Sequence, residues 1–284
     1  MKTKQLKQAL FFHLFRVVTI IVAVFLVYLL FTFVQNGIGV INWGFLTDIP
    51  RQGMTAGGIF PAIVGTLYIT VGTMAIALPI GIAAAIYLVE YARENRIVSA
   101  VNTAIINLAG VPSIVFGLFG FGLFVVFFGF GTSILAGILT MSLVVLPIII
   151  SASREALLSV PKAFREGSLA LGASRWQTIW RNVLPYGVPE MLTGSILALA
   201  RAAGETAPLI LTAAFFFSPT LPRSPFDGTM TLATHIFYVL TQSPNPVLGR
   251  PLAYGTALVL LVMVMSLNAV AIIVRTRQRR KRNW

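Results

Sequence analysis

Ser159-Val-Pro-Lys-Ala-Phe-Arg-Glu-Gly-Ser-Leu-Ala-Leu-Gly172, continued by Ala173-Ser-Arg-Trp-Gln-Thr-Ile-Trp-Arg-Asn-Val-Leu-Pro185 and Tyr186 to Pro189, is the longest polar, charged segment of an otherwise lipid-soluble chain. Two short helices fit it. The first starts near Pro161, a favoured first-turn residue, and stops at Gly172, which takes the left-handed conformation that closes a helix. Ser174 restarts the chain, and Gln177 three residues on completes a capping-box pattern. In the second helix Trp176, Ile179, Trp180, Val183 and Leu184 fall on one helical face by spacing, with Arg175, Gln177, Thr178, Arg181 and Asn182 elsewhere. In the first, Ala163, Gly167 and Ala170 line a small-residue face that lets another backbone approach. Two readings fit these residues: an interfacial helix with Trp at headgroup depth, or a surface that docks a protein partner.

Composition sets the class. The chain has 284 residues, of which 57% are hydrophobic and 10% charged, and this excludes an ordinary soluble domain. With no cysteine there are no disulfides, thiolate metal sites or cysteine nucleophiles, and His13 and His235 are too few and too far apart for a histidine metal site. Catalysis by the chain itself is not expected.

An apolar run from about Leu14 to Val34 follows Lys2, Lys4 and Lys7, and is long enough to cross a ~30 Å hydrocarbon core. It exceeds the ~7 to 15 residues of a signal-peptide core, so a retained first helix is expected. Further spans are read at about Ile59 to Val89, Val98 to Phe128, Thr132 to Ser151, Glu190 to Phe217 and Pro251 to Val274, with a short helix over Thr229 to Val239. The expected fold is an all-α membrane protein of six transmembrane helices. It divides into an N-terminal tail, first span and outer loop (1–58), a core (59–274, with its cytoplasmic loop at 153–189) and a basic tail (275–284).

Charge orients the chain. With both termini in the cytoplasm, seventeen of the 21 Lys/Arg lie inside and three outside (Arg51, Arg223, Arg250), leaving Arg201 in the membrane. The basic tail Arg275 to Arg282 is then a topology determinant rather than a nucleic-acid arm.

Arg201 lies about eleven residues past Glu190, ~16 Å along a helix and near mid-bilayer. A charge there costs at least ~2.5 to 3.5 kcal/mol on insertion scales, so it needs a partner and a polar cavity. Glu205 is that partner by spacing, four residues along, with Gly204 and Thr206 beside it and Pro208 disturbing the helix a turn later. The pair is either a structural tie or an anion site, since a guanidinium fork matches tetrahedral oxyanions.

Glu166, Gly172 and Leu184-Pro185 resemble, in order and spacing, the EAA loop of ABC-importer permeases. Gly167-Ser168 stands where that family has two alanines, and Asn182 where it has isoleucine. The segment Arg201-Ala-Ala-Gly-Glu-Thr-Ala-Pro208 resembles the permease subunits of bacterial phosphate ABC importers, the A-type more than the C-type. The resemblance implies a MetI-like permease core with a coupling-helix loop, in a bacterial cytoplasmic membrane. Arg165, Glu166, Gly167, Ser168, Gly172, Ala173, Trp176, Leu184 and Pro185 would dock an ATPase, and Arg201, Glu205 and Thr206 would lie on the path of phosphate. By the same resemblance the chain pairs with a second permease subunit, two ATPase subunits and an extracytoplasmic phosphate-binding protein. It would bind no cofactor, ATP with Mg being held by the ATPases. Other oxyanions (sulfate, molybdate, phosphonate), a secondary transporter and an inert scaffold are the alternatives.

Overall fold

A computed structural model describes residues 2–218 and 220–280. The first helix, α1 (Lys2–Gly37), stands apart from the core, and most of its large apolar side chains are exposed. It touches the rest of the chain near its end, where Phe33 meets Tyr254 at 5.9 Å between ring centroids. A helix apolar all round and unburied by protein is one that lipid must cover. A short α2 (Trp43–Thr47) follows, capped by the Asn42 side chain on Phe45 N (2.8 Å), and then a two-stranded antiparallel hairpin, β1 (Pro50–Arg51) with β2 (Ala56–Gly57).

Helix α3 (Phe60–Ile86) opens with Pro61 in its first turn and runs on through a π-helical turn, Tyr87–Tyr91. The third span expected over Val98 to Phe128 is not one helix. It is α4 (Arg96–Ala109) and α5 (Ser113–Gly120, extended by a π-helical stretch to Phe127), bent by 105° at the break. Pro112 is the cause, because it has no N–H to donate and excludes the α conformation from the residue before it. Helix α6 (Ile134–Leu158), whose Ser133 hydroxyl accepts from Ala136 N at 3.2 Å, is the centre of the molecule. Its Met141, Val145 and Ile149 are fully buried beside Ile69 and Ala77 of α3. At Gly81 any side chain would collide with Ile149, so glycine sets the closeness of α3 and α6.

The polar segment 159–189 begins with α7 (Lys162–Ala170) and α8 (Arg175–Thr178). A π-helical turn, Ile179–Val183, then joins α8 directly to α9 (Leu184–Gly204). The second loop helix is therefore the foot of the fifth span, and not a separate element before Glu190. That span also ends earlier than the expected Phe217. Helix α9 stops at Gly204 and a short α10 (Ala207–Thr212) begins, since in a continuous helix the Pro208 ring would strike the Gly204 carbonyl, and Pro208 has no N–H to bond to it.

Helix α11 (Leu232–Gln242), which the sequence placed three residues early, starts with a capping box between Thr231 and Thr234. The last helix, α12 (Pro246–Arg280), packs on α11, α9 and α1. It carries the basic run to Arg280 without a break, so the described part of the expected tail is helical, while residues 281–284 lie outside the described residues. Among the described residues five helices are long and apolar enough to cross a membrane, and the bent α4–α5 pair makes a sixth if counted as one span.

Candidate functional site

Two places carry the sequence-expected residues. At the first, Gly172 has φ +83°, the left-handed turn that closes α7, and Ser174 and Gln177 form the capping box in both directions (2.8 and 3.3 Å). Thr178 donates to Ser168 Oγ at 3.0 Å, and Ala173 N bonds Ser168 O at 3.2 Å, which fastens α7 to α8. Between them opens a groove of about 490 Å³ whose lining includes Ala163, Gly167, Ser168, Ala173, Gln177 and Arg181. Glu166 and Gly167 are exposed, and nothing stands within 4 Å of where a Gly167 side chain would project. Leu184 and Pro185 are half-buried at the start of α9.

The apolar face expected of Trp176, Ile179, Trp180, Val183 and Leu184 is divided. Ile179 and Val183 are buried, whereas Trp176 and Trp180 are 57% and 60% exposed and stack on each other at 5.7 Å. The π-helical turn is the reason: it holds more than 3.6 residues, so it shifts the helical phase of Trp180 within it and of Trp176 just before it.

Arg165 has a role that spacing did not reveal. Its guanidinium donates to both Glu90 oxygens from Nε (3.1 and 3.3 Å) and to Oε1 from Nη2 (2.7 Å). It also donates to the carbonyls of Val160 and Leu157, each at 2.7 Å. Those two carbonyls lie at the C-terminal end of α6 and just past it, where a cation is favoured. Glu90, in the π-helical turn that ends α3, was missed as a site residue. The available signal was a carboxylate at the foot of an apolar run, across from an arginine-bearing loop.

At the second place, Arg201 in the last turn of α9 donates from Nε to Glu205 Oε1 at 3.0 Å. The four-residue spacing holds but its expected reason does not. Glu205 lies beyond the helix end with φ −72° and ψ 137°, so the pair bridges the break between α9 and α10. The two side chains are 34% and 17% exposed, and Nη1 and Nη2 of Arg201 have no partner among the described residues. Ala202 and Ala203 beside them are buried, and Thr206 stands half-exposed just before α10 without a side-chain capping bond. Chemically this is a cation with two free N–H faces, held by a carboxylate that an oxyanion can replace.

A family model described as binding-protein-dependent transport system inner membrane component matches residues 77–283. The chain belongs to that family. Members are transmembrane permeases of ABC importers rather than enzymes, and the family implies an ATPase, a substrate-binding protein and a second permease as partners. Among relatives of this permease, the probable ABC transporter permease protein YqgI of Bacillus subtilis is 35% identical over 253 residues, covering 85% of this chain and 86% of its own. The probable phosphate transport system permease protein PstA of Methanocaldococcus jannaschii is 33% identical over 262 residues, covering 91% and 90%. Among solved structures, an inward-facing MetNI methionine ABC transporter gives a TM-score of 0.60 at 16% identity, covering 78% of this chain and 94% of that one. That likeness supports the MetI-like fold expected from the sequence.

Proposed function

We propose that this permease carries inorganic phosphate across the cytoplasmic membrane, with Arg201, Glu205 and Thr206 on the anion's path and the 159–189 loop docking the ATPase. The observation that carries the reading is the Arg201–Glu205 pair, a half-exposed cation with unused donors at a helix break within the span. A tetrahedral dianion takes two N–H groups of one guanidinium, and Glu205 holds the arginine when the path is empty. Relatives named as phosphate permeases support phosphate over other oxyanions. Both termini are cytoplasmic in this reading, on the strength of the charge bias. The partners are a second permease subunit, two ATPase subunits that bind ATP with Mg, and an extracytoplasmic phosphate-binding protein.

Coupling follows from the α7–α8 segment. Motion of a docked ATPase reaches α9 through the continuous helix from Arg175 to Gly204, and reaches α3 and α6 through Arg165. The direct test is uptake of labelled phosphate by cells that depend on this chain, with sulfate, molybdate and phosphonate as competitors. Uptake of phosphate unaffected by excess sulfate is expected; phosphate uptake that persists when the chain is deleted, with loss of sulfate or molybdate uptake instead, would reassign the substrate.

A further inference from the structure

The side of α6 that faces α4 and α5 carries Arg154, Ile150, Pro147, Leu146 and Leu143, which follow one another at helical spacing in a single stripe, with Pro147 and Ile150 buried. Helix α4 lies over this stripe without burying any of its own residues. Two cavities remain along the seam. One, of about 610 Å³, is polar, with Arg96, Ser99, Asn102, Thr103 and Glu94 on the α4 side and Arg154 on the α6 side. The other, of about 440 Å³, has Ile105 and Leu108 of α4 facing Leu143, Leu146 and Ile150 of α6. Phe116 and Phe119 of α5 line this second cavity, where the chain has turned by 105°.

The seam therefore has a charged end and an apolar end, in that order from the end of α6. Arg154 lies four residues before Leu158, ~6 Å from the end of α6, and Leu143 is ~16 Å deeper at 1.5 Å per residue. That depth is one leaflet of a ~30 Å hydrocarbon core. Neither Arg96 nor Arg154 has a hydrogen-bond or ion-pair partner among the described residues, although Arg154 is half-buried. Two guanidiniums outweigh the one carboxylate of Glu94, and the hydroxyls and amide beside them are further donors to phosphate oxygens. A free oxyanion leaves the apolar cavity empty, and a partner helix leaves the arginines unmatched. An anion attached to a hydrocarbon chain fits both halves.

We propose that the α4–α6 seam binds one anionic phospholipid of the cytoplasmic leaflet, its phosphate on Arg154 and Arg96 and an acyl chain along Ile150, Leu146 and Leu143. The site is separate from the Arg201–Glu205 pair, and its leaflet rests on the orientation proposed above. Basic pockets between membrane helices on the cytoplasmic side hold anionic headgroups by this same pairing of charge and depth.

The test uses the intact transporter complex, stripped of lipid and titrated with phosphatidylglycerol, phosphatidylcholine or inorganic phosphate alone, with bound molecules counted by native mass spectrometry. Wild type is expected to take up one phosphatidylglycerol at least about tenfold more readily than phosphatidylcholine, a preference that Arg154→Gln with Arg96→Gln removes. Leu146→Trp fills the apolar half, leaves both arginines and is expected to lose the same lipid; assembly with the partner subunits reports that each variant folds. Phosphate binding without lipid that depends on Arg154 would make this a free-oxyanion site and overturn the proposal. So would equal lipid retention by all three proteins. Because the chain has no cysteine, Leu146→Cys gives a cross-linking point unique within this chain, and a cross-link from it to the second permease subunit would also overturn the proposal.

Discussion

Arg165 and Glu90 lie 75 residues apart in sequence and 2.7 Å apart in space, joining α7 to the foot of α3. The same guanidinium holds two carbonyls at the end of α6. One side chain thus ties the α7–α8 loop to two spans. Its exposure, 20% against 10% for Glu90, places the pair between a surface contact and a buried one.

That geometry predicts a graded series. Arg165→Ala removes the ion pair and both carbonyl bonds, whereas Glu90→Gln leaves an amide able to accept. We expect the first to cost about 1–3 kcal/mol in thermal unfolding of the complex and the second less. ATP hydrolysis should persist in both while transport per ATP falls. Measuring the two rates together checks this, and an unchanged transport-to-hydrolysis ratio in Arg165→Ala would leave Arg165 a purely structural tie.

For the anion path, Arg201→Gln is expected to lower phosphate uptake about 10- to 100-fold with normal assembly, since a charge-assisted bond is worth ~1.5–3 kcal/mol. Arg201→Lys keeps the charge without the fork and should be intermediate. Uptake assays in cells with matched protein levels decide it; wild-type uptake in Arg201→Gln would mean that the pair is only a structural clasp.

The α7–α8 groove, the proposed ATPase contact, separates two effects that glycine substitutions usually mix. At Gly167 an added Cβ meets nothing within 4 Å among the described residues, so a loss of ATPase co-purification in Gly167→Ala is expected to come from the partner's side. Gly172 has φ +83°, so Gly172→Ala costs about 1–2 kcal/mol of backbone strain before any partner is considered. Glu166→Lys should abolish ATPase docking while the chain still inserts. Co-purification of the ATPase with each variant reads the result, and full docking by both Gly167→Ala and Glu166→Lys would remove this loop from the interface.

His235 on α11 is buried, near Thr256 Oγ1 at 3.2 Å, and burial pushes its pKa from 6.5 down to about 4. The folded protein therefore resists protonation there while the unfolded chain does not. Stability should be fully present above pH 6.5 and decline as pH falls from 6.5 toward 4. Melting temperatures of wild type and His235→Gln across this range test the sign: the difference between them should change with pH only below about 6.5, and a difference that stays constant would exclude this titration.

Much of this was legible in the chain itself. The closing turn at Gly172, the capping box from Ser174 to Gln177 and the apolar spans depend on a few neighbouring residues and on the solvent each side chain requires. Arg201 and Glu205 were readable as partners because four residues of chain keep them close in either a helix or a broken one. The break was misjudged by one turn: Pro208 was expected to disturb a continuing span, yet its missing N–H ends α9 at Gly204 and puts Glu205 outside it. The tryptophans were misplaced because a π-helical turn shifts phase without any residue type that announces it.

Hydropathy, charge bias and local turn chemistry, all short-range, determined from sequence alone that this chain is a multi-span helical membrane protein with a polar two-helix segment between spans. Packing decided the rest. Whether Arg165 meets Glu90, whether Trp176 faces in or out, and where α4 leans on α6 depend on how separate helices are brought together, and no local pattern encodes the distance between residues 75 positions apart.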